Sequence, residues 1–258
     1  MKPHKRILLW LDRDCEKPFD YAADRIENVG GNSGNMAFEY ALQRMLKIPG
    51  NKVEVCPAAL RQLPDIDRIN REFDCLVFAP ANLLALWARD GLLEQSRNWI
   101  RKMTIPVYAI GLGAASDIDY SMDFLPLIEP QARAFVDAIL ASGGGQGKLG
   151  VRGRFTAACL RALGYREDSD FFVIGCPSFF VNGIAYQVVK NKVSRDEFAP
   201  LLNGFRFWNH REYRDQVMQQ YPRALFVRKN FIISCIEQKA LPKRKGIIWP
   251  SPRMCSCL

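Results

Sequence analysis

The chain has 258 residues, of which 48% are hydrophobic and 24% are charged, so it is long enough to bury one large core or two small ones. No stretch approaches the roughly 18 to 20 uninterrupted apolar residues that a membrane helix needs. Acidic residues follow the first short apolar run, where a signal peptide would carry its cleavage site. We therefore expect a cytoplasmic protein.

The net charge of +9 is concentrated toward the carboxyl terminus. From Phe205 to Leu258 there are 11 Lys and Arg against 3 Asp and Glu, which leaves the rest of the chain nearly neutral. A basic tail is typical of contact with nucleic acid or with an anionic membrane. Because no helix-turn-helix, zinc-finger or aromatic-interleaved pattern accompanies it, we expect no nucleic-acid partner. Peripheral membrane contact through this tail stays open.

Cysteine and histidine usage limits the chemistry of the chain. Among the eight cysteines only Cys255 and Cys257 stand close together, and the others are scattered, which is typical of isolated thiols rather than a disulfide framework. No second cluster completes a zinc site, so we expect no metal. His4 and His210 are the two histidines, so the sequence offers few residues for a Ser-His catalytic pair or for a metal site with histidine ligands.

Short apolar runs alternate with helical periodicity as far as about Phe180, which is typical of a parallel sheet with crossover helices. The pattern predicts strands at Arg6–Leu11, Lys52–Cys56, Cys75–Ala79, Pro106–Ile110, Leu149–Arg152 and Phe171–Gly175. We therefore predict an α/β fold, with a Rossmann-like parallel sheet in an N-terminal domain of residues 1–180.

Helices are predicted between these strands. Apolar residues recur at i, i+3, i+4, i+7 and i+8 over Phe38–Leu46 and over Phe155–Leu163, so each segment presents one apolar stripe to the sheet. Pro130 suits the first helical position of a third helix, Gln131–Ala141. The run Ser142–Gly145 tolerates left-handed geometry and predicts the end of that helix.

The periodicity weakens after Phe180. Short elements are predicted at Ala185–Val189, Arg195–Leu202, Arg206–Trp208, Arg211–Gln220 and Ala224–Val227, of which the second and fourth are helices and the others strands. We predict a partial second α/β domain over residues 181–240. Residues 241–258 combine prolines with a basic cluster and predict a tail.

The segment Gly30–Asn35 precedes the first amphipathic helix. Glycines before a helix let backbone N–H groups approach an anion, which the helix dipole also favours. The glycine spacing and the distance from the preceding strand do not fit a dinucleotide-binding fingerprint. Two interpretations stay open here: anion binding, and capping of the helix by Asn32 or Ser33.

Other candidate residues follow the predicted strands, at the edge where open α/β sheets bind ligands. Asn82 follows the third strand, Gly111–Gly113 follows the fourth, and Arg152 is the last residue of the fifth. An arginine between a strand and a helix N-terminus can bind a carboxylate or a phosphate with both arms. Arg154 is predicted to be a surface residue. For Cys176, after the sixth strand, a buried thiol is favoured over a nucleophile because no histidine is nearby in sequence.

Five segments resemble the polysaccharide pyruvyl transferase family in their order and approximate spacing: GNSGNMAFEYAL, DCLVFAPANLL, PVYAIGLGA, VRGRFTAACLRALGY and VIGCPSFF. The resemblance covers roughly Val29 to Phe180, and the last two segments are the most specific. It implies a two-domain arrangement like that of GT-B glycosyltransferases.

The resemblance also implies an activity. The family transfers a pyruvyl group from phosphoenolpyruvate to a sugar of a cell-surface polysaccharide and forms a pyruvate ketal, with phosphoenolpyruvate as co-substrate and no cofactor. Arg152 matches the arginine of the family's VRG segment and is the expected catalytic contact with the donor anion. The residues expected to form the substrate-binding cleft with Arg152 are Gly31, Asn32, Gly34, Asn35, Asn82 and Gly113.

One family motif is absent. The family carries Arg-Leu-His in its second domain, where the histidine is the acid/base and the arginine a second anion clamp, and this sequence contains no Arg-Leu-His. Two alternatives therefore stay open: a truncated, catalytically inactive member that only binds an anionic ligand, and a GT-B-type glycosyltransferase. The acceptor sugar and the oligomeric state are not predicted.

Overall fold

The structure is a computed structural model that describes residues 5–17, 33–57, 65–116, 120–183, 201–203, 211–221, 225–228 and 231–233. The chain divides into two compact units, residues 1–189 and 190–258. The first unit holds a six-stranded sheet and the second a three-stranded sheet.

A parallel sheet forms the centre of the first unit and confirms the predicted α/β fold. Its strands are β1 (Lys5–Leu11), β2 (Asn51–Pro57), β3 (Cys75–Phe78), β4 (Val107–Leu112), β5 (Lys148–Val151) and β6 (Phe171–Val173), in the spatial order β2-β1-β3-β4-β5-β6. Strand β3 and the part of β1 from Ile7 onward are continuous buried apolar runs, because each is covered on both faces.

Helices lie on both faces of this sheet. They are α1 (Ser33–Leu46), α2 (Ile66–Glu72), α3 (Leu92–Ile100), α4 (Leu125–Gly145) and α5 (Arg154–Ala162). From β1 the chain crosses to β2 in one direction along the sheet, and from β2 onward every crossover runs in the other direction. Because such connections are right-handed, α1 lies on one face of the sheet and α2 to α5 lie on the other. Two separate core clusters agree: Leu42 of α1 packs with Ile7 and Leu9, whereas the other cluster contains Trp99 of α3 and Phe135 of α4.

An aromatic group fixes α3 and α4 against the sheet. The Trp10 and Trp99 rings meet edge to face with centroids 4.3 Å apart, and Phe78 lies 5.5 Å from Trp99 and 6.3 Å from Phe135. Edge-to-face contacts of this kind add to the burial of the rings. Within the described ranges, no helix has the length and apolarity needed to cross a membrane.

The prediction that Pro130 opens its helix was wrong. Helix α4 begins at Leu125, and Pro130 lies inside it. The apolar stripe continues upstream of the proline through Leu125 and Ile128, both buried. Burial of these side chains therefore outweighs the one backbone hydrogen bond that the proline removes.

The predicted end of this helix is confirmed. Ser142 has an extended backbone, and Gly143 and Gly144 have φ of 56° and 67°. The Ser142 Oγ accepts the N–H of Val107 at 2.8 Å and donates to the carbonyl of Ile139 at 2.6 Å. This hydroxyl therefore joins the end of α4 to the start of β4.

The second unit contains β7 (Leu201–Asn203), α6 (Arg211–Gln220), β8 (Leu225–Arg228) and β9 (Phe231–Ile233). Strands β7 and β8 are parallel, and β9 is antiparallel to β8. The predicted helix over residues 211–220 and the strand near 224–227 are confirmed. Leu201 and Leu202, predicted at the end of a helix, instead pair with Leu225 and Phe226 as a strand.

Several predicted elements of this part lie outside the described residues. They are the strands Ala185–Val189 and Arg206–Trp208, most of the predicted helix Arg195–Leu202, and the tail of residues 241–258.

We expect Ser142→Ala to lower the free energy of unfolding by about 1–3 kcal/mol, because the buried N–H of Val107 would lose its acceptor. Chemical denaturation followed by circular dichroism measures the change. Thr104→Ala removes a hydroxyl from an exposed residue in the turn before β4 and serves as the control. Equal losses in the two variants would contradict the role given to Ser142.

Candidate functional site

The loops that follow the parallel strands meet at the carboxyl edge of the sheet. Strands β1 and β3 are neighbours there, but the chain leaves β1 toward β2 and leaves β3 toward β4. In open α/β sheets, such a change of direction opens a crevice in which ligands bind. The space beyond the carboxyl ends of β1 and β3, called the crevice below, is therefore the candidate functional site.

A β-bulge in β4 prepares one wall of the crevice. The register between β4 and β5 shifts between Ile110 and Leu112, so that Gly111 is an extra residue in its strand. Its φ is 80°, and a Cβ there would lie 3.0 Å from Cδ of Pro177. The Gly111 carbonyl accepts a hydrogen bond from Nε of Arg152 at 2.7 Å. Glycine at this position therefore permits both the bulge and the close approach of Pro177.

Arg152 follows β5, and three other elements hold its guanidinium. Besides Nε on Gly111, its Nη1 donates to Oδ1 of Asn82 at 3.1 Å, and the group lies 4.7 Å above the centroid of the Phe38 ring. The remaining nitrogen, Nη2, is buried and has no hydrogen-bond partner among the described residues. Burial lowers the pKa of Arg152, and the neighbouring Cys176 opposes that change.

The orientation of Asn82 depends on the loop after β4. The N–H of Gly113 donates to the carbonyl of Ala81 at 2.7 Å, and the carbonyl of Gly113 accepts the N–H of Leu84 at 3.2 Å. A Cβ on Gly113 would overlap with Oδ1 of Asn82. The absence of a side chain at Gly113 is therefore what lets the Asn82 amide turn toward Arg152.

The structure thus brings together three of the residues singled out from the sequence: Arg152, Asn82 and Gly113. Gly34 and Asn35 lie in the first turn of α1, four and three residues before Phe38, on the same side of the helix as that ring. Gly31 and Asn32 lie outside the described residues. Their roles in binding a substrate stay predictions.

Two neighbouring residues were weighed as candidates from the sequence. Arg154 is exposed in the first turn of α5, as predicted for a surface residue. Cys176 is half-buried rather than fully buried, and its Sγ lies 3.1 Å from Oγ of Ser178. The described cysteines are free thiols: Cys15, Cys56, Cys75, Cys159 and Cys176.

A pair of carboxyl groups at the end of β1 was not predicted. Asp12 directly follows β1, and its N–H donates to Oε1 of Glu39 on α1 at 3.3 Å. Glu39 is only 3% exposed. Burial raises the pKa of Asp12 to about 6; burial and the adjacent Asp12 raise that of Glu39 to about 8. The position of Asp12 after an apolar strand was the signal in the sequence that could have pointed to this group, called the carboxyl pair below.

The loop that carries Asp12 is tied to α1 at a second point, one turn further along. Oε1 of Gln43 accepts the N–H of Cys15 at 3.1 Å, and its Nε2 donates to Oδ1 of Asp14 at 2.8 Å. Burial, and to a smaller extent Glu39, raise the pKa of Cys15 to about 12, so this thiol stays protonated. Within the described ranges, no group of three or more His, Cys, Asp or Glu side chains is placed to hold a metal ion.

Comparison with known proteins gives one match. The sequence profile of the family described as polysaccharide pyruvyl transferase matches residues 32–248 of the chain. No curated protein and no solved structure matches it.

We expect Glu39→Gln to become more stable relative to the wild type as pH rises from about 5 to about 9. The pKa of Glu39 is raised in the folded state, so between its ordinary value near 4 and about 8 the folded protein binds more protons than the unfolded chain. Wild-type stability is therefore lost as pH rises through this range, and a neutral amide escapes that loss. Urea denaturation at pH 5, 7 and 9 measures the difference.

The control for this prediction is Glu94→Gln, which alters an exposed carboxylate on α3. Its stability relative to the wild type should change little across the same pH range. Parallel pH profiles for the wild type and Glu39→Gln would show that Glu39 titrates as an ordinary carboxyl.

Proposed function

Since the chain belongs to the polysaccharide pyruvyl transferase family, we propose that it transfers the pyruvyl group of phosphoenolpyruvate to a sugar of a cell-surface polysaccharide and forms a cyclic ketal there. One observation supports the binding of phosphoenolpyruvate in this proposal. The buried Nη2 of Arg152 has no partner among the described residues, while the other two guanidinium nitrogens are engaged.

A buried N–H group without an acceptor costs about 1–3 kcal/mol, so proteins rarely keep one without a use. The Arg152 guanidinium also carries a charge that burial has partly removed from water. A carboxylate or phosphate oxygen in the crevice would satisfy Nη2 through a charge-assisted hydrogen bond. Phosphoenolpyruvate carries both kinds of anion, and we propose that Arg152 binds one of them.

The first turn of α1 supports the same assignment. The helix has 14 residues and no acidic residue in its first turn, and the positive end of a helix dipole favours a bound anion. Gly34 and Asn35 lie in this turn, one turn before the Phe38 ring on which Arg152 stacks. We propose that this turn, together with Gly31 and Asn32 before it, forms the other wall of the donor site.

Pyruvyl transfer replaces the phosphate of the donor by two oxygens of the acceptor. An arginine at the donor offsets the negative charge that develops on the departing phosphate and holds the enol carbon in a fixed place. Asn82 and Gly113 contribute by fixing the guanidinium rather than by touching the donor. No cofactor takes part in this proposal, because phosphoenolpyruvate itself supplies the activated group.

The absent Arg-Leu-His motif favours one alternative, a family member that binds the anion and does not turn it over. Purified protein that binds phosphoenolpyruvate but releases no phosphate with galactose-type or N-acetylmannosamine-type acceptors would support that alternative. Thermal stabilisation by nucleotide sugars and not by phosphoenolpyruvate would instead favour a GT-B-type glycosyltransferase.

We expect Arg152→Ala to weaken phosphoenolpyruvate binding by about 10- to 100-fold, because the charge-assisted hydrogen bond from Nη2 is lost. Arg152→Lys should recover only part of the affinity, since an ammonium cannot reach Gly111, Asn82 and the donor together. Calorimetry measures the affinity, and thermal melts establish that each variant is folded.

Arg154→Ala is the matched control, because it removes an exposed arginine two residues further along the chain. Its affinity for phosphoenolpyruvate should equal that of the wild type. Equal affinities of the wild type and Arg152→Ala for phosphoenolpyruvate would show that Arg152 does not bind the donor.

We expect Gly113→Ala to weaken phosphoenolpyruvate binding about 10-fold, because the added Cβ displaces the Asn82 amide and frees the guanidinium to move. Gly153→Ala is the control: its backbone is extended, and no atom lies within 4 Å of the position of an added Cβ. Calorimetry on both variants gives the comparison. If Gly113→Ala binds like the wild type, the Asn82 amide does not position Arg152.

A further inference from the structure

Pyruvyl transfer needs protons to be moved as well as an anion to be held. The enol carbon of the donor must gain a proton, and two acceptor hydroxyls must each lose one. The histidine that the family's Arg-Leu-His motif would supply is absent from this chain. The crevice contains another group suited to proton exchange, the carboxyl pair of Asp12 and Glu39.

We propose that Asp12 is the acid/base that contacts the substrate and that Glu39 is the positioning residue behind it, the two carboxyls sharing one proton. This assignment rests on the proposed pyruvyl transfer. It adds the proton-transfer half of the site to the anion-binding half at Arg152.

The pair lies at the edge of the sheet where a ligand is expected. Asp12 directly follows β1, at the switch point of the sheet. Arg152 reaches across the ends of β4 and β3 to stack on Phe38, and Glu39 is the next residue of α1. The pair and the buried, unpartnered Nη2 of Arg152 therefore flank the same turn of α1.

The chemistry of Glu39 is the second argument. Hydrogen bonds between α1 and the loop after β1 do not require a charged side chain. One turn later, the neutral amide of Gln43 makes two such bonds to the same loop. Glu39 instead places a carboxyl that is only 3% exposed at the backbone N–H of Asp12. Because ionisation of one of two neighbouring, partly desolvated carboxyls opposes ionisation of the other, the pair retains a proton to higher pH than an isolated carboxyl.

The partly exposed member of the pair is Asp12, so Asp12 is the one that reaches the substrate. The raised pKa values of both groups agree with a shared proton near neutral pH. The charged and titratable groups around the pair are Arg13, Asp14 and Cys15 on the loop, and Arg152 beyond Phe38.

The proton balance of the reaction fits one shared proton. In the first step, the pair gives its proton to the methylene carbon of the donor while an acceptor hydroxyl bonds to the adjacent carbon, and the hydroxyl proton returns to the pair. In the second step, a second acceptor hydroxyl displaces phosphate from that carbon and its proton leaves with the phosphate. One C–H and two C–O bonds form, while the C=C π bond, the C–O bond to phosphate and the two acceptor O–H bonds break. The pair ends with as many protons as it began with.

The test compares turnover with binding in the full chain. We expect Asp12→Asn to lower kcat for phosphate release by at least about 100-fold while its affinity for phosphoenolpyruvate stays within about threefold of the wild type. Glu16→Gln, which changes an exposed carboxylate of the same loop, should leave kcat unchanged. In D2O, the wild type should place deuterium in the methyl group of the ketal, and Asp12→Asn should do so at the reduced rate.

Glu39→Gln distinguishes positioning from a merely structural role. We expect it to keep part of the turnover and to move the alkaline limb of the kcat profile to lower pH, because the variant lacks the carboxyl whose raised pKa keeps a proton on the pair up to about pH 8. Carbon-13 NMR titration of the wild-type carboxyls adds a measurement that needs no variant. Asp12 and Glu39 should both titrate above the ordinary carboxyl range.

Each result bears on one of the two proposals. If the wild type turns over phosphoenolpyruvate and Asp12→Asn has the same kcat, the proposed role of the pair is wrong. The proposed pyruvyl transfer would not be affected by that result. Ordinary titration of both carboxyls near pH 4 would do the same. A wild type that neither binds phosphoenolpyruvate nor releases phosphate would overturn the proposed function, and with it the role of the pair.

Discussion

A guanidinium group that is drawn out of water needs hydrogen-bond acceptors within the protein or on a ligand, and Arg152 finds acceptors for Nε and Nη1 by spanning the ends of three strands. It extends from β5 to a carbonyl on β4 and to an amide after β3, and then rests on a ring of α1. Each contact sets a condition on another residue. The carbonyl needs the bulge at Gly111, and the amide needs the missing side chain of Gly113. The loops of the crevice are therefore shaped around one cation.

The opposite charge lies on the same helix. Glu39 follows Phe38 directly, so α1 presents a ring to the guanidinium and a carboxyl to Asp12 within one turn. In the two proposals, the cation binds the donor anion and the carboxyls, whose pKa values are raised, exchange protons beside it. That combination is what an enol phosphate donor requires, and it relates the two proposals to a single local arrangement.

Much of this fold could be predicted from the sequence, because the spacing of apolar residues and the ends of apolar runs can be recognised within a few neighbouring residues. The six strands followed from short apolar runs, and Arg152, Asn82 and Gly113 were singled out because each follows a strand. The bulge at Gly111 depends on the register between two strands, which no local pattern encodes. Glu39 was missed for a similar reason: beside the apolar stripe it resembles a surface residue, and only the loop after β1 buries it. The start of α4 was misplaced because Pro130 was given more weight than the buried residues before it.

Helix α1 is the sole α-helix among the described residues on its face of the sheet, where the short 3-10 helix Pro177–Phe180 packs against it, and this placement links folding to the proposed chemistry. Leu42 anchors the helix in the smaller of the two cores, while Phe38 and Glu39, within the preceding turn, contact the two ends of the crevice. A rotation or slide of this helix would separate the ring from the cation and the carboxyl from its neighbour at the same moment. Under the proposed function, selection on the packing beneath α1 would also act on turnover, and substitutions that loosen the small core would lower activity before the protein unfolds.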